Sequence, residues 1–249
     1  MRRRFFVDRF ESHSAHLTGD AAEHLGRVLR AEPGQLYELS DGHAVWLGRI
    51  DRVALSKQGR SRLDFSLVEP VPSHEPRLRI ELLVSIVKFD RLEWCLEKAT
   101  ELGASAIVPL AAARTDKPLI AAAAKRHARW EKILLESAQQ SRQLRPPSLA
   151  PAVKPEKAFG ASSAVLRIFL SEKPDAAPLH EVLRKAGQQH PAGISTVALA
   201  IGPEGGWTEE ECAFARAAGF QEASLGESIL RAETAVLAAV ANLRFALGD

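Results

Sequence analysis

One carboxylate, Glu204, stands among three glycines and a proline in Gly202-Pro-Glu-Gly-Gly-Trp207, and further along Arg231 and Glu233 lie close together in Ser228-Ile-Leu-Arg-Ala-Glu233. Carboxylates can take up a proton, and a guanidinium can hold negative charge as it develops. Glycines let a bound molecule approach the main chain, whose N–H and C=O groups can then contact it. Two loops with this content describe a ligand site with acid–base groups. A purely structural reading competes at each residue. Glu233 can favour a helix N-terminus electrostatically, Glu204 can fix loop amides, Arg231 can pair with either, and Gly-Gly can be a tight turn.

The elements that must position these residues follow from the flanking sequence. Thr196 to Ile201 (TVALAI) is short and apolar, as a strand buried on both faces of a parallel sheet is. Gly202-Pro203 ends it. Thr208 followed by Glu211 is a capping-box pattern that starts a helix over Glu209 to Ala218, and Gly219 stands where a C′ glycine belongs. The loop therefore lies at the carboxyl end of a strand, where open α/β sheets bind ligands. Gln221 to Leu225 is the next strand, the loop Gly226 to Arg231 follows, and a helix runs from Glu233 to Leu247 with the apolar stripe Val236, Val240, Leu243, Leu247. Neither a GxGxxG fingerprint nor a GK[ST] phosphate loop occurs, which speaks against nucleotide-dependent hydride or phosphoryl transfer.

The 249 residues, 46% of them hydrophobic, suffice for one large or two modest domains. Cys95 and Cys212 have no metal-ligand spacing, no signal peptide is recognised, and no apolar run approaches a membrane span, so a reducing cytoplasm is the expected compartment. The net charge of +2 arises in the first 79 residues, with 13 Lys+Arg against 11 Asp+Glu. There Arg2, Arg3, Arg4 and Arg9 surround Phe5, Phe6 and Phe10, and Arg27 and Arg30 fall at i and i+3 of a short helix. Arginine beside aromatics suits RNA phosphate contact and base stacking, while a solvated basic strand is the plainer alternative. Residues 35 to 69 alternate as β structure around the hairpin dipeptide Asp41-Gly42, a small barrel. Proline-rich Glu69 to Pro76 is the linker. Beyond it βα units begin: an alternating strand from Leu78 to Ile86, helix Leu92 to Leu102, strand Ala106 to Leu110, helix Ala121 to Gln140, strand Val165 to Leu170 and helix Leu179 to Gln188.

GPEGGWTEEE (Gly202 to Glu211) and LGESILRAETA (Leu225 to Ala235) resemble the two hallmark loops of the RsmE family, bacterial small-subunit rRNA uridine-N3 methyltransferases of the knotted SPOUT class. KFDRLEWCLEKATELGASAIVPL (Lys88 to Leu110) and HLGRVLRAEPG (His24 to Gly34) resemble further blocks of the same family. The resemblance implies an α/β SPOUT trefoil-knotted methyltransferase domain over 73–249, preceded by a PUA-like RNA-binding β-barrel over 1–72. It implies S-adenosyl-L-methionine as cofactor, 16S rRNA of the small ribosomal subunit as partner, and a homodimer; a methyl sulfonium donor held by backbone loops needs no metal, and no apolar run supports a membrane contact. The implied donor pocket comprises Leu170, Ser171 and Glu172; Ile201, Gly202, Pro203, Glu204, Gly205 and Gly206; and Leu225, Gly226, Ser228, Ile229 and Leu230. Uridine N3 must lose an imide proton, so Glu204 and Glu233 are candidate bases and Arg231 the candidate cation, with solvent an alternative base. Because N3 is a pairing edge, the target must be unpaired or flipped.

Ser228 stands where the family usually has arginine, Phe89 where it usually has glycine, and glutamine in Gln139 to Arg145 where glutamate is common. Two rivals remain open. One is a SPOUT ribose 2′-O-methyltransferase; the other is a non-catalytic RNA-binding ribosome-assembly protein.

Overall fold

The computed structural model describes residues 3–56 and 61–248, so Arg2 of the expected RNA-binding set lies outside the described residues. The chain divides into two compact units: Met1–Glu75 with Ala138–Arg145, and Pro76–Ser137 with Pro146–Asp249.

In the first unit β1 (Arg4–Phe6), β2 (Ser14–Thr18), β3 (Leu36–Ser40), β4 (Val45–Ala54) and β5 (Arg62–Pro70) form a half-barrel in the order β1-β3-β4-β5-β2. Asp41-Gly42 makes the β3–β4 turn: Gly42 adopts φ 87°, and Asp41 Oδ1 accepts from the main-chain N–H groups of His43 and Ala44. Helix α1 (Gly19–Glu23) runs into a π-helical turn, His24–Val28. Leu25, Leu39, Ile50, Leu63 and Phe65 fill the space beneath the sheet.

Two arginines depart from the sequence expectation here. Arg4 is only 6% exposed. Its guanidinium donates to Glu38 at 2.9 and 3.1 Å and to the Arg142 carbonyl at 2.6 Å, because an arginine on a buried strand edge must find acceptors inside. That removes Arg4 from the basic outer face. Arg30 does not share a helix with Arg27, since the helical turn ends at Val28 and Arg30 takes φ 52°. Gln139 to Arg145 gives carbonyls to this unit as well, Leu144 accepting from Ser40 Oγ at 2.6 Å.

The second unit is a seven-stranded parallel sheet. Its elements are β6 (Arg79–Ser85), α2 (Phe89–Glu101), β7 (Ala104–Leu110), α3 (Lys117–Gln140, whose last residues from Ala138 belong to the first unit), β8 (Ser148–Leu149), α4 (Pro155–Ala161), β9 (Leu166–Leu170), β10 (Ala177–Pro178), α5 (Leu179–Gln189), β11 (Thr196–Ile201), α6 (Glu209–Ala217), β12 (Gln221–Ser224) and α7 (Ala232–Leu247). The strand order is β10-β12-β9-β11-β6-β7-β8. Helices cover both faces, so Val197 to Ala200 of β11 are fully buried. Because β12, β9 and β11 are neighbours, the loops leaving their carboxyl ends meet. Helix α2 begins at Phe89, ahead of the expected Leu92, and carries Asp90 and Arg91 in its first turn.

The capping box of α6 forms as the sequence implies: the Glu211 N–H donates to Thr208 Oγ1 at 3.2 Å, and the Thr208 N–H donates to Glu211 Oε2 at 2.9 Å. Thr208→Ala is expected to cost about 1 kcal/mol, read as a lower urea midpoint at unchanged slope.

Candidate active site

The loops after β9, β11 and β12 enclose a cavity of about 760 Å3. Leu170, Ser171 and Glu172 form one wall, Ile201 to Gly206 a second, and Leu225, Gly226, Ser228, Ile229 and Leu230 a third. Trp207 ties the first wall to the second, its indole N–H donating to the Leu170 carbonyl at 2.8 Å. Gly202 lies against that indole, where an added Cβ would come within 3.0 Å of the ring. Gly206 closes a tight turn, donating to the Pro203 carbonyl at 2.8 Å with φ 70°, a backbone state only glycine adopts without strain. Such a loop presents main-chain groups to a ligand at close range, with Ile201, Leu170, Leu225 and Leu230 supplying apolar cover. Ile229 is 80% exposed.

The β7–α3 loop buttresses the glycine loop. Arg114 Nη1 donates to the Gly205 carbonyl at 2.7 Å, and the Ala113 N–H donates to Glu211 Oε1 at 2.8 Å. At the rim Lys173 and Glu209 pair at 2.6 Å; each charge favours the other, raising the ammonium and lowering the carboxyl from their usual ranges.

Glu204 and Arg231 both line the cavity. Arg231 is exposed at the N-cap of α7, and among the described residues its guanidinium has no ion-pair or hydrogen-bond partner. The cation that meets the carboxylates is one the sequence reading passed over. Arg91 lines the cavity, pairs with Glu204 through Nη1, and holds Nε 3.9 Å from Glu233 Oε1. Glu233 stands behind this pair, its side chain 17% exposed and its Oε2 buried without a hydrogen-bond partner. The available signal for Arg91 was its place just after a strand, inside the Lys88 to Leu110 block; Arg114 follows β7 in the same way. Among the described residues no cluster of His, Cys, Asp or Glu is gathered to hold a metal ion.

Cys95 packs behind Glu233, fully buried, and burial followed by the Glu233 charge pushes its thiol up to about 12. Burial also raises the Cys212 thiol, which borders the cavity. Neither should react with an aromatic disulfide reagent at about pH 8 until the protein is denatured, when both should. Ionisation of Cys95 in the unfolded chain should also draw stability down as pH rises from 9.0 toward about 12, since the folded state holds that proton more tightly.

Of the remaining expected RNA contacts, Arg3 is half-buried beside His24 at 3.4 Å, and Arg9 is exposed with Glu11 at 4.0 Å. Arg27 donates to the Ser56 carbonyl at 2.7 Å, while Arg30 is exposed beyond the π-helical turn. Val28 and Leu29 are exposed between them.

Residues 74–244 match the family model of an RNA methyltransferase domain. A ribosomal RNA small subunit methyltransferase E from Synechocystis is 34% identical over 235 residues, covering 91% of this chain and 71% of that protein. The crystal structure of a ribosomal RNA small subunit methyltransferase E from Neisseria gonorrhoeae bound to S-adenosyl methionine superposes with a TM-score of 0.85 at 32% identity, over 100% of this chain and 99% of that one. A Legionella pneumophila protein in complex with the same cofactor gives a TM-score of 0.83 at 27% identity, over 100% and 99% of the two chains.

Proposed function

Because the chain belongs to the ribosomal RNA small subunit methyltransferase E (RsmE) family, with its α/β SPOUT fold, we propose that it methylates N3 of a uridine in 16S rRNA, using S-adenosyl-L-methionine. The observation that carries this reading is the joint placement of the three donor-type loops, Glu204 and Arg231 around one cavity. The cavity fits the donor: glycines for close main-chain approach at Gly202, Gly205 and Gly206, apolar cover from Ile201 and Leu225, and volume for an adenosine with a bent methionine arm. Bound there, the donor supplies an electrophilic methyl carbon on sulfonium sulfur.

The protein's part is orientation, proton uptake and charge stabilisation. Glu204, at the cavity wall, would take the N3 imide proton of a uridine placed beside the donor. The charge left on O2 and O4 faces Arg231, whose guanidinium has no partner to give up among the described residues. Glu233 reaches the cavity only through Arg91. Arg3, Arg9, Arg27 and Arg30 are the proposed RNA contacts of the N-terminal unit. Cytoplasmic location and a homodimer belong to the same reading, the dimer being read by light scattering.

The test is transfer of labelled methyl groups to unmethylated small ribosomal subunits, with the product nucleoside identified by mass spectrometry. 3-Methyluridine is expected. A 2′-O-methyl nucleoside would make the protein a ribose methyltransferase, and absence of donor binding would leave an RNA-binding assembly protein.

A further inference from the structure

Among the described residues Arg91 is the one cavity cation that engages two carboxylates, Glu204 on the β11–α6 loop and Glu233 in the first turn of α7. Glu204 needs such a partner. It follows a proline and precedes two glycines, its side chain is 49% exposed, and a carboxylate so mounted has many orientations open to it. Arg91 does not share that freedom: it sits in the first turn of a thirteen-residue helix whose Leu92, Cys95, Leu96 and Ala99 are buried, and its own side chain is 26% exposed. Its fork presents Nη1 to Glu204 while Nε faces Glu233, so the two acids use different edges of one planar group. Glu233 in turn has its second oxygen buried without a hydrogen-bond partner, and among the described residues Arg91 is the cation that faces it.

We propose that Arg91 is a positioning residue for methyl transfer, a guanidinium braced by Glu233 that fixes the Glu204 carboxylate at the cavity wall. The proposal rests on the reading of Glu204 as the proton acceptor. Arg91 acts through Glu204 rather than on the base or the donor, and its loss should slow the chemical step while leaving both substrates bound. Glu233 supplies the opposing charge that keeps the guanidinium from following Glu204 outward.

The experiment is a single-turnover assay with saturating donor and small subunits, run on the wild type, Arg91→Met, Arg91→Lys, Glu204→Gln and the Arg91→Met/Glu204→Gln double variant, with donor affinity measured by calorimetry. Arg91→Met should slow transfer about 10- to 100-fold, the scale set by a misplaced catalytic group, with donor affinity within about threefold. Arg91→Lys should recover part of the rate, because an ammonium can still pair with Glu204. The double variant should be no slower than Glu204→Gln alone. A wild-type rate in Arg91→Met, a fully additive double variant, or loss of donor affinity in step with rate would each overturn the proposal. If Arg91→Met loses its cooperative thermal transition, Arg91→Lys decides: a folded lysine variant as slow as Glu204→Gln overturns it, and partial activity supports it. Absence of transfer by the wild type would instead remove the methyltransferase reading, and with it the role assigned to Arg91.

Discussion

Replacing Arg231 with alanine is expected to lower methyl transfer about 100- to 1,000-fold, the usual effect of deleting one donor that stabilises a developing anion. Donor affinity should stay within about threefold, because the neighbouring walls and the glycine loop remain. The reasoning starts at the backbone. Arg231 is extended at φ −64° and ψ 154° as the N-cap of α7, directly after the loop that forms the third cavity wall. Its side chain is exposed and, among the described residues, unpaired, so truncation orphans no buried carboxylate and should leave the melting temperature unchanged. The first amides of α7 add partial positive charge at the same point. Arg231→Lys should recover activity only in part, since an ammonium point charge lacks the planar fork of donors that a guanidinium offers a delocalised anion. Turnover equal to wild type in Arg231→Ala would remove the residue from the mechanism.

What the sequence made legible is what local physics decides. β11 could be read because a run buried on both faces is apolar throughout, and its helix because Thr208 and Glu211 cap it through a contact three residues apart. The three loops were equally legible, each marked by glycine or a polar turn after a strand. Arg91 was not, since nothing near it in sequence announces a partner 113 positions away in Glu204. Arg4 misled for the same reason. A cluster of arginines near the N-terminus reads as a basic surface until Glu38, 34 residues on, is seen to draw one of them inside. Residues 139 to 145 looked like a basic loop after a long helix, yet their carbonyls satisfy Arg4 and Ser40 of the first unit. The short helix carrying Arg27 could be anticipated, but not its π-helical turn, which ends before Arg30 and gives the two arginines different backbone settings.

Glu204→Gln should slow transfer about 100- to 10,000-fold, the range for loss of a general base. Glu233→Gln should cost far less, about tenfold, because Glu233 meets the cavity only through Arg91. The difference follows from where each oxygen lies. Glu204 is part of the cavity wall and half-exposed, so its carboxylate can reach an imide proton brought in beside the donor methyl group. Glu233 is the more buried acid, with one oxygen facing Arg91 and the other enclosed. A proton accepted there would have to pass the guanidinium, which does not release its own N–H protons and has no lone pair to accept another. Glutamine keeps the shape of both side chains, so folding and donor affinity should hold in each variant, and single-turnover rates report the chemistry. If Glu233→Gln proved the slower, the base would be the buried acid, and Arg91 would have to swing away from it as the uridine enters. If neither substitution slowed transfer, solvent would take the proton, and the protein would act through orientation and the charge of Arg231 alone.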